Sequence, residues 1–123
     1  MTLRSVIVDD NPAVLRAASH LLATQGVAVV GVAENGDQAL ALIQELAPDV
    51  VLVDYRMPGL NGAQTTTEVL RASPSSRVVC LTASISRDEM SSLLEAGAVA
   101  CLTKDEDLEQ IVASIHSAAT AAA

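Results

Sequence analysis

The chain has 123 residues, enough for one domain that buries most of its unfolded surface around a single core. Half of the residues are hydrophobic and only Tyr55 is aromatic, so Leu, Val, Ile and Ala must fill that core. A net charge of −8, from fifteen acids against seven bases, disfavours binding of nucleic acid or of anionic lipid, and no run reaches membrane-spanning length.

The chain then alternates between two periods. A short β-branched run at Ser5–Val8 reads as the first strand, and Asn11-Pro12 opens a helix striped by Val14, Leu15, Ala18, Leu21 and Leu22 and ended by Gly26. A second strand at Val27–Val32 leads to a helix striped by Ala39, Leu40, Ile43 and Leu46, before Pro48. The third strand, Val50–Val53, is followed by a Pro- and Gly-rich loop and a weaker helix from Ala63 to Ala72, with three threonines and only Val69 and Leu70 as anchors. Val78–Leu81 is the fourth strand. The helix after it opens with the capping box Ser86-Arg-Asp-Glu89, is striped by Met90, Leu93 and Leu94, and stops at Gly97. The fifth strand is Val99–Leu102, and Leu108, Ile111, Val112 and Ile115 mark the last helix.

Continuous apolar strands covered on both faces and five βα units predict an α/β fold, a doubly wound parallel sheet with right-handed crossovers. No repeat or internal linker divides it. Residues 1–119 read as one domain, and 120–123, the end of an Ala-rich tail, as the start of a linker. Met1 runs directly into a strand, so no signal peptide is read, and Cys80 and Cys101 fit small buried hydrophobes of a reduced, cytoplasmic protein.

Polar residues fall at the strand ends. The first strand ends in Asp9-Asp10, the third in Asp54, the fourth in Thr82 and the fifth in Lys104, whereas Asp49 precedes the third strand and reads as a cap or a solubilising residue at the opposite end. Ligands of doubly wound sheets bind outside the carboxyl ends, where the strand order reverses; with the flavodoxin-like order 2-1-3-4-5 that point lies between strands one and three. Three carboxylates against one ammonium leave an excess of negative charge, and an unbalanced pair at about 4 Å costs roughly 4 kcal/mol at an effective dielectric of 20. A divalent cation cancels that excess, and an all-oxygen site suits Mg²⁺. Lys104 is the only lysine, a compact charge suited to a phosphoryl oxygen. Together these groups suit phosphoryl transfer to a carboxylate, giving an acyl phosphate.

VDDN, VDYRMPGLNG, LTAS and LTKD, each at its own strand end, resemble the receiver (CheY-like) domain of two-component response regulators over nearly the whole chain. The MPGLNG loop and the KD pair are most similar to receivers that carry a LuxR-type helix-turn-helix output domain. The resemblance implies that Asp54 accepts a phosphoryl group from a sensor histidine kinase. It implies Mg²⁺ held by Asp10 directly, by Asp9 through water, by Asp54 and by the backbone carbonyl of Arg56. Lys104 would hold a phosphoryl oxygen, and Thr82 would swing toward the phosphoryl group to switch a partner or dimer surface. Arg56 and Ser84 occupy the positions that set phosphate lifetime in such domains. The resemblance implies no enzyme beyond a domain that catalyses its own phosphorylation and dephosphorylation.

Two residues depart from the family pattern. Cys101 stands where a switch aromatic is usual, and Asp105 where a proline is usual, although the helix-turn-helix group shares the latter. A stand-alone receiver, or a degenerate one acting as a protein–protein module, is the alternative. A phosphohydrolase of the haloacid dehalogenase type would need an acid two residues after its nucleophile, but Asn11 and Pro12 stand at that spacing from Asp9 and Asp10. A nucleotide-binding module would need a Gly-rich loop after the first strand, where DDNP stands. His20 and His116 lie beside their helix stripes and read as surface residues.

Overall fold

The computed structural model describes residues 2–120. Five strands, β1 (Leu3–Val8), β2 (Val27–Ala33), β3 (Val50–Val53), β4 (Arg77–Thr82) and β5 (Ala100–Thr103), form one parallel sheet in the order β2-β1-β3-β4-β5. Five helices connect and follow them: α1 (Pro12–Thr24), α2 (Gly36–Leu46), α3 (Gly62–Ala72), α4 (Arg87–Glu95) and α5 (Leu108–Thr120). The sequence-based order and the five βα units are those observed. Residues 121–123 of the expected tail lie outside the described residues.

The sheet divides the core in two. On one face Leu15 and Leu22 of α1 and Ile111, Val112 and Ile115 of α5 pack on Ile7, Leu52 and Val79. On the other, Ala39 and Ile43 of α2, Val69 of α3 and Leu93 of α4 pack on Val6, Val8, Val51, Val53, Val78 and Cys80. Alternate residues of β3 serve opposite faces, which is why all four of its side chains had to be aliphatic. Each fully buried Leu, Ile or Val contributes roughly 1.5–3 kcal/mol. This burial holds the strand ends in place.

Local chemistry starts the helices where expected. The Asn11 side chain accepts from the Ala13 N–H at 3.0 Å, with Pro12 in the first turn of α1. α3 opens with a reciprocal box, Asn61 with Gln64, and α4 with Ser86 and Glu89.

Three expectations about packing are corrected. Leu21, Met90 and Leu94 are exposed, because α1 and the nine-residue α4 each present a narrower row to the sheet than their apolar stripes suggest. Val99 precedes β5 and is exposed. In α3 the threonines join the core: Thr65 and Thr66 are fully buried, and Thr66 Oγ1 donates to the Gly62 carbonyl at 2.7 Å, satisfying its hydroxyl inside its own helix. Among the described residues, no helix is long and apolar enough to cross a membrane.

Candidate phosphoryl and metal site

Pairing of β1 with β3 sets two acidic strand ends side by side. The Asp9 N–H donates to the Ala33 carbonyl at 3.0 Å and the Asp54 N–H to the Val8 carbonyl at 2.9 Å, so the ladder holds both backbones. One oxygen each from Asp9, Asp10 and Asp54 lie within 4.8 Å of one another. Asp9 and Asp54 are buried and Asp10 is exposed. The donors are all hard carboxylate oxygens, as Mg²⁺ prefers, and their shared charge is the reason they would take one.

Lys104 reaches in from the end of β5, where its N–H donates to the Thr82 carbonyl at 2.9 Å. Its Nζ donates to Asp9 Oδ2 at 2.7 Å and lies 3.5 Å from Asp54 Oδ2. Partial burial alone would lower the ammonium pKa. The hydrogen bond to Asp9 and the charge of Asp54 outweigh that, so the pKa is raised above the ordinary lysine value. Asp9 is further fixed by the Asn11 N–H on Oδ1 at 3.0 Å. Asp54 is held more loosely: the Arg56 N–H approaches Oδ1 at 3.4 Å.

Thr82 is buried at the end of β4, and its hydroxyl donates to the Ser84 carbonyl at 3.2 Å. Ser84 itself is exposed. The loop after Asp54 turns at Gly59, whose φ is +83°, and returns so that the Gly62 N–H donates to the Tyr55 carbonyl at 2.8 Å. A Cβ at residue 62 would lie 2.8 Å from Tyr55 Cα, a contact that only glycine avoids.

The structure therefore gathers Asp9, Asp10, Asp54 and Lys104 into one cluster, with Thr82 joined to it through the Lys104 backbone. Cys101 is elsewhere. It sits in mid-strand opposite Cys80, on the face covered by α3 and α4. Burial, followed by the neighbouring Cys101 thiol, pushes the Cys80 pKa far up; burial also raises Cys101, against a lowering by the hydrogen bond to Cys80. Both are free thiols.

Two pairings at or beside the cluster escaped the sequence reading. One is Lys104 with Asp9. The other is a fork in which Arg56 Nη1 and Nη2 donate to Glu89 Oε2 at 3.0 Å and Oε1 at 2.7 Å. The Ser86 N–H first, and Arg56 with it, hold the Glu89 carboxyl below its usual value. The capping box had marked Glu89 only as a helix start.

Comparison with known proteins agrees with this geometry. The family model described as the response regulator receiver domain matches residues 6–116. The response regulator GacA of Pseudomonas aeruginosa is 38% identical over 115 residues, 93% of this chain and 54% of that protein. The nitrate/nitrite response regulator protein NarL of Escherichia coli is 33% identical over 115 residues, 93% of this chain and 53% of that protein. Among solved structures, a signal receiver domain ascribed to NarL of Mycobacterium tuberculosis superposes with a TM-score of 0.90 at 34% identity, covering 98% of each chain. The chain spans about half the length of the curated relatives it matches.

Proposed function

The chain belongs to the response regulator receiver family, and from that premise we propose that Asp54 is the phosphoacceptor of a Mg²⁺-dependent transfer from a sensor histidine kinase. The observation that carries this reading is the cluster itself: three carboxylates within 4.8 Å, with one ammonium 2.7 Å from Asp9 and 3.5 Å from Asp54. Asp9 has short partners and Asp54 only long ones, so Asp54 keeps an oxygen available to attack phosphorus. An Asp54 oxygen bonds to phosphorus as the donor's bond to phosphorus breaks; the donor keeps the electron pair and the protein carries an acyl phosphate.

Mg²⁺, held by Asp10, by Asp9 through water, by Asp54 and by the Arg56 carbonyl, would offset charge on the transferring oxygens. Lys104 shares its ammonium between Asp9 and a phosphoryl oxygen. The Thr82 hydroxyl leaves the Ser84 carbonyl for the phosphoryl group, shifting the loop before α4 and with it a partner or dimer surface. Arg56 and Ser84, at the rim, tune how fast water removes the phosphoryl group. The relatives are named as response regulators and the chain spans about half their length, which supports an attached output domain. That the output domain binds DNA, in the cytoplasm, rests on the resemblance to receivers with a helix-turn-helix output. The charge of −8 disfavours nucleic acid contact by the receiver domain itself. Cys101 favours a second reading of the output: without the usual aromatic, the surface near β5 responds to Thr82 in a modified way, as in a stand-alone receiver or a protein–protein module.

The test is intact mass after incubation with Mg²⁺ and a small acyl phosphate such as acetyl phosphate. One phosphoryl group is gained by the wild type, none without Mg²⁺ and none by Asp54→Asn. Wild type that gains nothing, or turnover of unrelated phosphate esters, would reject the reading.

A further inference from the structure

The two capping boxes of this protein are built alike but differ in charge. α3 uses Gln64 as the third helical residue, and its Oε1 accepts from the Asn61 N–H at 2.9 Å. α4 uses Glu89 in the same place, and its Oε1 accepts from the Ser86 N–H at 2.9 Å. A neutral amide therefore closes the box as well as a carboxylate does. The cap closes without a charge at this position, and the Glu89 charge, which the Ser86 N–H also favours, is free to serve a second group, Arg56. Both terminal nitrogens of the guanidinium, Nη1 and Nη2, are engaged, in a geometry that fixes direction as well as distance. The guanidinium also lies 5.8 Å from the centroid of the Tyr55 ring, a second contact that favours the same placement.

Arg56 thus faces two ways. Its backbone N–H approaches Asp54, while its side chain is led off to the first turn of α4. Nothing covalent prevents this cation from folding back over the acidic cluster, whose three carboxylates outnumber its one ammonium and so attract it.

We propose that Glu89 is a positioning residue for the phosphoryl site: its carboxylate parks the Arg56 guanidinium on α4, keeping a second cation off the carboxylates that would take Mg²⁺. This rests on the reading of Asp9, Asp10 and Asp54 as that metal and phosphoryl site. The pair is neutral where it sits, so among the described residues Lys104 is the cation that answers the cluster's charge until a metal arrives.

Glu89→Gln separates the two roles, since glutamine keeps the cap and loses the charge. The measurement is the Mg²⁺ dissociation constant of the unphosphorylated protein, by calorimetry at low ionic strength, with thermal stability alongside. Glu89→Gln should weaken Mg²⁺ binding about fivefold, the scale of one released unit charge at the rim of the site. The loss should shrink in high salt. Arg56→Met should tighten binding, because it leaves the Glu89 charge unopposed, and Arg56→Met/Glu89→Gln should return within about twofold of wild type, a rescue that capping alone does not predict. A Glu89→Gln protein that binds Mg²⁺ as the wild type does, or a double variant as weak as Glu89→Gln, would overturn the inference while leaving the site intact. A wild type that binds no Mg²⁺ would overturn both the site and the inference.

Discussion

Two aspartates flank the four residues of β3, and they stand in opposite conditions. Asp49, before the strand, is tied in through side chain and backbone. Its Oδ2 accepts from the Arg4 N–H at 2.9 Å, its own N–H donates to the Arg4 carbonyl at 2.9 Å, and its carbonyl accepts from Arg77 at 2.9 Å. Arg4 in turn donates to the Leu46 and Ala47 carbonyls at the end of α2. The Asp54 carboxylate, after the strand, has only the 3.4 Å and 3.5 Å approaches of Arg56 and Lys104, and shares its corner with two other carboxylates. A carboxylate with a short donor, on a backbone bonded at both ends, closes a seam. One crowded by its own kind keeps oxygen lone pairs, and excess charge, for a ligand.

The largest effect that sharpens this contrast is metal linkage. At a Mg²⁺ concentration of about 100 times Kd, binding should stabilise the wild type by about 2.7 kcal/mol, read as a rise in urea midpoint. Asp54→Asn should lose most of that increment, and in metal-free buffer its midpoint should lie above wild type, because one of three crowded charges is gone. A lower metal-free midpoint would mean that Asp54 is structural, like Asp49.

At the other end, Asp49→Ala should cost about 1–2 kcal/mol in urea unfolding, since it leaves the Arg4 N–H without its acceptor. It should keep the full Mg²⁺ increment. Loss of both together would erase the distinction between the two ends.

The pH dependence is a smaller effect and follows from Lys104. Its folded pKa is raised, so its contribution is whole below the ordinary lysine value and fades as pH rises through the folded value. Lys104→Met should therefore flatten the alkaline arm of the stability curve relative to wild type. An unchanged alkaline slope would contradict the pairing with Asp9.

The smallest effect belongs to Cys101, which sits at neither end of the sheet. Cys101→Ser should change stability by less than about 1 kcal/mol and leave Mg²⁺ affinity unmoved, checked by the same urea and calorimetric titrations.

The strand ends were legible because each is an abrupt change, an aliphatic run that stops at Asp9, Asp54, Thr82 or Lys104. Topology followed from the βα alternation, and topology alone brings those four ends to one edge. What stayed hidden depends on side chains meeting across the fold. Lys104 and Asp9 lie 95 positions apart and Arg56 and Glu89 lie 33 apart, and no local period relates either pair. The stripe of α4 misled for a related reason: periodicity says which residues share a face, whereas the width of the row that the sheet covers decides that Leu93 is buried and Met90 and Leu94 are not. Thr65 and Thr66 show the converse, poor helix formers retained because a compact side chain fits beneath α3.

The contrast between the two aspartates is tested most directly by locating the phosphoryl group. Borohydride reduces an acyl phosphate to the alcohol, so a phosphorylated aspartate becomes homoserine and peptide masses reveal its position. After incubation with Mg²⁺ and acetyl phosphate, homoserine is predicted at position 54 alone, with Asp9, Asp10 and Asp49 unchanged. Homoserine at any of those three positions, with Asp54 intact, would contradict the assignment of Asp54 as the acceptor.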